Sequence, residues 1–490
     1  MAERAKTTPK QVVDQYHEAD KKDLEAMGCS FTYFGRTTLP IHYELTQEFF
    51  QRLSEKGHIY EDTIQQLYCP KDNRFLPDRF VEGICPHCHG EARGDQCESC
   101  GRYLKSTELE SPRCALCGTT PIIKETKHWF FRLSHFQAFL KQWIRDTPGL
   151  SQNVRNYASQ WLQEGLNDWC ITRDMDWGVP VPNKGAKGKV IYVWFDAPIG
   201  YVSNTIQWAR DNDDPESWKA YWQGSDGEII HFIGKDIVYH HALFWPAMLK
   251  GRGDYRLPNQ IVAGEYLTLG GQKMSKSRGW MIEVADYLAK FEPDPLRYYL
   301  TVVSPLSRDA DFTWEEFARK NNDELADILG NFIHRTLTFT YQSFDKRIPQ
   351  PEDEYPKELL EKADETVNNV GSLIEAHEYH RALREILDLA AMGNRFFNEA
   401  EPWRTIKTDK GSAATTIYVA DQAVKILAIL LAPFLPTSAE RLWQILNLEG
   451  SVHQQRWSDA TRRLEPGHEI GRPTPLFGKI EAKELPKLGS

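Results

Sequence analysis

This 490-residue sequence has no apolar run long enough to cross a bilayer. Its longest, Ile426 to Ala432, spans seven residues, where a spanning helix needs about twenty. The opening Met-Ala-Glu-Arg-Ala-Lys lacks the apolar core of an export signal, so the sequence reads as that of a soluble cytoplasmic protein. There is no basic excess either. Lys and Arg number 59 against 69 Asp and Glu, a formal charge of -10, which excludes a general nucleic-acid binder. It leaves room for an enzyme that grips one RNA through local basic patches. Internal repeats and low-complexity tracts are absent. At this length a single core is excluded in favour of two or three domains.

Cysteine is scarce but clustered. Six of the nine fall in the pairs Cys85-x-x-Cys88, Cys97-x-x-Cys100 and Cys114-x-x-Cys117, with Cys69 upstream. Without an export signal, such pairs indicate metal ligation rather than disulfides. Cys85, Cys88, Cys97 and Cys100 have the spacing of a closed, structural Zn knuckle. Cys69, Cys114 and Cys117 are one ligand short of a second. Asp72 could complete that set, since carboxylate oxygen binds zinc; His87 and His89 are alternatives, as are three free thiols with no second metal.

Apolar spacing divides the rest. Residues 1 to 60 read as helix, extended chain and helix, with Leu45, Phe49, Phe50 and Leu53 on one face and Gly57 as the stop. From Leu67 to Thr120 periodicity gives way to Cys, Gly and Pro. Ser134 reads as an N-cap before the Phe136, Phe139, Leu140 and Trp143 stripe. Val190–Phe195, Ile229–Ile233 and Gln260–Ala263 read as buried strands between helices, the pattern of a parallel α/β sheet. Thr313-Trp-Glu-Glu316 reads as a capping box that opens an all-α region. One stripe there is Leu325, Ile328, Leu329, Phe332 and Ile333; Ile386, Leu387 and Ala390 belong to another. The Pro-rich stretch from Ile348 to Pro356 reads as a loop between helices.

Two further motifs carry chemistry, and a third constellation stands beside them. Gly271-Gln-Lys-Met-Ser-Lys-Ser-Arg-Gly279 sets Lys273 and Lys276 beside Ser275 and Ser277 between glycines. Such a cationic loop can close over a triphosphate and stabilise charge on departing pyrophosphate. Tyr192-Val-Trp-Phe-Asp-Ala-Pro-Ile-Gly-Tyr201 is a strand running into a turn, where sheet ligands gather. Asn331 and Arg335 sit four apart on one helix face, with Trp403 farther on. Taken alone, all three read as ordinary capping and packing residues.

Lys-Met-Ser-Lys-Ser in full is a signature of class I aminoacyl-tRNA synthetases, and the Tyr192–Tyr201 stretch resembles the amino-acid pocket of the methionyl-tRNA synthetases. That resemblance runs from near Thr8 to the C-terminus. It implies a methionine site lined by Trp194, Ala197, Pro198, Tyr201, Ile237 and His241. Gly234, Lys235 and Asp236 are expected near ATP, and Lys273, Ser275, Lys276 and Ser277 act on its phosphates. Asn331, Arg335 and Trp403 match positions that read the anticodon. His240 stands where relatives more often carry an aromatic, and Asp72 where two-zinc relatives carry a second cysteine.

The implied activity is methionine–tRNA ligation, with methionine, Mg-ATP and tRNA(Met) as substrates and one or two structural zincs. The implied fold is an incomplete class I Rossmann-type parallel sheet with a zinc-knuckle insertion, followed by an all-α anticodon-binding domain. The expected divisions are 1–66 and 126–311 for the two parts of the catalytic domain and 67–125 for the insertion. The helical domain takes 312–450, and 451–490 is a tail packed on the body. No appended C-terminal dimerisation domain is visible, which favours a monomer. None of the fifteen histidines lies in a His-x-Gly-His context, the second class I signature. The expectation is therefore that an N-terminal segment gripping ATP is missing, with a non-catalytic tRNA-binding paralogue as the alternative.

Overall fold

The protein was analysed as a computed structural model that describes residues 2–77, 80–94, 97, 100, 104–275, 279–304, 306, 308–352 and 356–486. Two compact units emerge, one of residues 1–17 and 31–263, the other of residues 18–30 and 264–490.

In the first unit, helix Pro40–Glu55 buries Leu45, Phe49, Phe50 and Leu53, the face its spacing demands. It stops where Gly57 takes a φ of +75°; the amide of His58 reaches back to the Leu53 carbonyl at 2.8 Å, a glycine-terminated helix end. Around this helix lies a sheet of three strands in the order Ile230–Gly234, Gln260–Gly264, Gly149–Leu150. The last two strands run parallel. Their buried partners include Phe195, Phe244, Trp245 and Ile261.

Two expectations need correcting. The strand expected over Val190–Phe195 is only Lys189–Ile191, and Val193–Asp196 is already a helical turn. Tyr192, its N-cap, and Pro198, which caps the next helix Ile199–Asp211, bend the chain within seven residues. An apolar run cannot reveal such a bend. Ser134 is not an N-cap: it sits inside a 3-10 turn, Leu133–Phe136, and its hydroxyl donates to Asp168 at 2.6 Å. The helix proper is Gln137–Asp146.

Strands Ile59–Cys69 and Ile122–Phe131 form an antiparallel ribbon in register from Ile59↔Phe131 to Tyr68↔Ile122. One end is fixed by Ile59, Trp129 and Phe131 in the main core. At the other, Leu67 and Cys69 join a small core with Leu76, Val81, Leu104 and Leu109. The three-stranded sheet Glu91–Arg93, Val81–Ile84, Glu110–Cys114 caps that end.

The second unit begins with a small sheet, Gln272–Lys273, Leu267–Leu269, Ala310–Phe312, on an aromatic cluster of Tyr287, Tyr299, Phe312, Trp314 and Phe317. Thr313 caps the following helix by accepting from the Glu316 amide at 3.2 Å, the half of the capping box that forms. Glu316 itself pairs with Arg319 at 2.6 Å. Helical chain then runs from Trp314 to Ser343, wound as a π-helix over Asn321–Gly330. Leu325, Leu329, Phe332 and Ile333 of the expected stripe are buried, and Ile328 packs at its edge. Helices Glu358–Glu375, Tyr379–Ala400, Lys410–Leu431 and Pro436–Ile445 complete the bundle. Lys410–Leu431 is long and apolar enough to span a membrane, yet every residue from Ile417 to Leu431 is buried in the bundle.

Candidate active-site and RNA-reading residues

The turn after Lys189–Ile191 and the end of strand Ile230–Gly234 gather most of the expected pocket residues. Tyr201 donates or accepts a 2.8 Å hydrogen bond with His241 Nε2, and His241 Nδ1 lies 2.9 Å from the Ile237 carbonyl. One carbonyl acceptor at Nδ1 leaves Nε2 as the lone-pair nitrogen, so the Tyr201 hydroxyl is the donor. Burial holds the His241 imidazole below its usual pKa, keeping it neutral. Trp194 stacks on His240 with centroids 4.1 Å apart and an interplanar angle of 20°. Histidines 240 and 241 open a π-helical turn, His240–Phe244, a local widening that recurs at functional sites. Trp194 also borders a cavity of about 460 Å³, together with Tyr43, Met175, Trp177, Tyr192 and Asp196. Ala197 and Pro198 form the turn into helix Ile199–Asp211. Gly234, Lys235 and Asp236 form the bend after the strand, with Gly234 and Asp236 exposed.

Sequence reasoning missed the polar residues beneath this turn. His42, fully buried, has Nδ1 3.0 Å from Ser203 Oγ and Nε2 3.8 Å from an oxygen of buried Asp196. Desolvation raises the Asp196 pKa. The clue in the sequence was slight: one histidine on the buried face of helix Pro40–Glu55.

Lys273 lies in a hairpin in which Leu269 pairs with Gln272. Gly270 and Gly271, at φ +56° and +74°, make the two-residue turn that such a hairpin needs. The Gly271 amide donates to Asp311 at 2.8 Å, and Lys273 lies 5.7 Å from the centre of the Tyr266 ring. Ser275 and Trp280 exchange backbone hydrogen bonds of 2.9 and 3.0 Å, closing the base of the loop. Lys276 and Ser277 lie outside the described residues.

The cysteines converge into two sets whose ligand atoms all lie within 4.8 Å of one another: Cys85, Cys88, Cys97 and Cys100, and Cys69, Asp72, Cys114 and Cys117. A zinc–sulfur bond of about 2.3 Å separates the sulfurs of a tetrahedral site by about 3.8 Å. The Cys85–Cys100 and Cys88–Cys97 sulfurs are 3.9 and 3.5 Å apart, so the first set fits zinc. In the second, an Asp72 oxygen lies 3.1 Å from the Cys114 sulfur and 3.5 Å from that of Cys69, which fits a mixed sulfur–oxygen site. Hydrogen bonds from Cys117 and Cys114 hold the Asp72 carboxyl below its usual pKa.

The Cys85–Cys88 and Cys114–Cys117 turns close alike, with the His89 amide donating to the Cys85 carbonyl and the Gly118 amide to that of Cys114, each at 2.9 Å. The residue after the second cysteine is left-handed in each, at φ +58° for His89 and +71° for Gly118. That turn directs the His89 side chain outward, 74% exposed, so it joins neither set. His87 is absent from both as well.

In the helical bundle, Asn331 donates to Asn394 at 3.0 Å and Arg335 to Asn398 at 2.9 Å. The Arg335 guanidinium lies 4.7 Å from the Phe397 ring centre and 5.8 Å from that of Trp403, and the two rings stack at 6.0 Å. Trp403 remains 38% exposed, so part of an indole is open beside an arginine.

Family models place the chain. The model for class I tRNA synthetases (M) matches residues 1–337, and that for the anticodon-binding domain of methionyl-tRNA ligase matches residues 349–488. Methionine–tRNA ligases from Methanobrevibacter smithii and Methanopyrus kandleri are 49% and 50% identical across 98% of this chain, which covers 72% and 71% of their lengths. The chain belongs to the class I methionyl-tRNA synthetases.

The structure of Mycobacterium tuberculosis methionyl-tRNA synthetase in complex with methionyl-adenylate is similar, with a TM-score of 0.79 at 29% identity over 97% of this chain and 88% of that one. In this chain, sequence reasoning found one side of the Asn331–Arg335 face and missed the other. Asn394, Phe397 and Asn398 repeat the i, i+3, i+4 spacing of a shared helix face, a signal that was there to be read.

Proposed function

We infer that this chain activates methionine with ATP and transfers it to tRNA(Met). The single observation that carries the reading is the match of the catalytic family model across residues 1–337, which also sets aside a non-catalytic tRNA-binding paralogue. In the first step the methionine carboxylate attacks the α-phosphorus of ATP, giving methionyl-adenylate and pyrophosphate. In the second, a terminal ribose hydroxyl of the tRNA attacks the methionyl carbonyl and AMP leaves. Trp194, Ala197, Pro198, Tyr201, Ile237 and His241 hold methionine, whose thioether suits aromatic and neutral partners. Gly234, Lys235 and Asp236 contact the nucleotide. Lys273 and Lys276, with Ser275 and Ser277, stabilise the charge gathering on pyrophosphate. Asn331, Arg335 and Trp403 read the anticodon.

The two cysteine-rich sets hold zinc in a structural role. Four protein ligands close each site and leave no position for a substrate. Positioning and electrostatics by the chain's own residues account for the chemistry.

Methionine-dependent exchange of pyrophosphate into ATP tests the reading, followed by charging of tRNA(Met). Exchange with methionine, and charging of this tRNA alone among bulk tRNAs, is the expected result. Exchange driven equally by another amino acid would overturn it.

A further inference from the structure

Trp194 forms one wall of a cavity of about 460 Å³ whose other walls include Tyr43, Arg173, Trp177, Tyr192 and Asp196. That volume is in the range of a small-molecule site. Two of these groups are left without partners by the fold. Asp196 is 8% exposed, yet its Oδ1 has no hydrogen-bond partner, and its Oδ2 lies 3.8 Å from His42 Nε2, beyond hydrogen-bond length. A buried carboxyl without donors costs stability, and a ligand that supplies them recovers it. Trp177 is 38% exposed, and among the described residues it stacks on no other ring. Arg173, by contrast, is held in place. Its guanidinium lies 3.7 Å from the centre of the Tyr192 ring and donates to the carbonyls of Cys170 and Thr172 at 3.1 and 2.9 Å. It sets a fixed positive charge on the wall.

The cavity thus offers an open indole, an acceptor in need of donors and a cation. A nucleoside at the end of a phosphodiester chain has the complementary parts: a base that stacks, ribose hydroxyls that donate, and a phosphate. The methionine side chain has none of them. We propose that this cavity seats the terminal adenosine of tRNA, with its base on Trp177, one ribose hydroxyl donating to Asp196 and its phosphate facing Arg173. The inference rests on the tRNA-charging reading given above and adds the place where the acceptor end docks. Because Trp194 is shared with the methionine site, docking there brings the ribose beside the methionyl group that it attacks.

The test is binding of tRNA(Met) to the whole chain, with the tRNA either intact or shortened by its terminal adenosine. The wild type should bind the intact tRNA about five- to 150-fold more tightly, the worth of one stacked base. In Trp177→Ala that gap should close to within about twofold, entirely through weaker binding of the intact tRNA. Asp196→Leu removes both oxygens at similar volume and should narrow the gap about three- to tenfold. A wild-type gap below about fivefold overturns the proposal. So does a gap that survives either substitution unchanged, which places the adenosine elsewhere. Equal weakening of both tRNAs in Trp177→Ala also overturns it, since a merely structural role has that outcome. If the wild-type chain binds neither tRNA, the tRNA-charging reading itself fails and the inference falls with it. That result is read in the wild-type arm and is distinct from a change in the gap.

Discussion

Tyr201 and His241 show how much one hydrogen bond can organise. The tyrosine hydroxyl needs a lone-pair nitrogen, and the imidazole supplies one because its proton sits on Nδ1, which donates to the Ile237 carbonyl. Tyr201→Phe breaks the pair while keeping the ring. We expect the KM for methionine in pyrophosphate exchange to rise about three- to tenfold, with kcat nearly constant. A fall in kcat alone would mean that the hydroxyl acts in the transition state. At this scale the sequence disclosed residue types but not their partners. Trp194, Tyr201 and His241 could be named from one motif each. The buried His42–Ser203–Asp196 set could not, because its members are far apart in sequence and each would pass singly as an ordinary core or surface residue. Asp72 was legible for a chemical reason: three cysteines lacked a fourth donor, and a carboxylate stood three residues after Cys69.

Among the elements, the antiparallel ribbon was the largest omission. Its middle, from Glu61 to Gln65 on one strand and Lys124 to Lys127 on the other, has water on most sides, so neither strand shows the alternation that betrays a half-buried sheet. The cysteine pairs beyond it were conspicuous because metal ligands need fixed spacing. Zinc analysis of the purified chain should give two ions per molecule, falling to one in Asp72→Ala and to one in Cys85→Ser. Two ions retained by Asp72→Ala would remove Asp72 from the ligand set. Thiolate ligands compete with protons, so zinc should be released as pH falls.

The paired helices Asn331–Ser343 and Tyr379–Ala400 carry a second prediction. Trp403→Ala should lower tRNA charging about five- to 150-fold, since a stacked base is worth roughly 1–3 kcal/mol, and leave methionine-dependent pyrophosphate exchange intact. Collapse of both activities would make the indole a packing residue of the Phe397 stack.

For the molecule as a whole, the α/β-then-helical order was plain from the change in spacing near Thr313, while the tight bends that separate short strands from helices were not. Stability of the helical bundle carries a distinctive pH signature. Asp421 is fully buried, with its two oxygens 2.9 and 2.8 Å from the Thr340 hydroxyl. Desolvation raises its pKa well above the ordinary carboxylate range, with the Thr340 hydrogen bond acting against the shift. The unfolded chain loses this proton near pH 3.9 while the folded chain keeps it, so the group weakens folding as pH rises above that point. The loss grows by about 1.4 kcal/mol per pH unit until the folded pKa is reached. Asp421→Asn removes this slope, and its melting temperature should gain on the wild type as pH rises from 4 towards the folded pKa. Lys425, one turn on, has its pKa lowered to about 8 by burial. Its contribution varies only between that value and the ordinary lysine range, where stability rises with pH. A constant difference from pH 4 to pH 7 would mean that Asp421 is ionised in the fold.

Helix Lys410–Leu431 has a consequence for how the protein is made. Its apolar residues are safe only while the surrounding helices cover them, and two of those, Glu358–Glu375 and Tyr379–Ala400, precede it in the chain. During synthesis its cover therefore leaves the ribosome first, and the helix can dock as it emerges. A fragment or permuted chain that presented this helix before its cover would offer chaperones and the membrane-insertion machinery a segment with the composition of a transmembrane anchor.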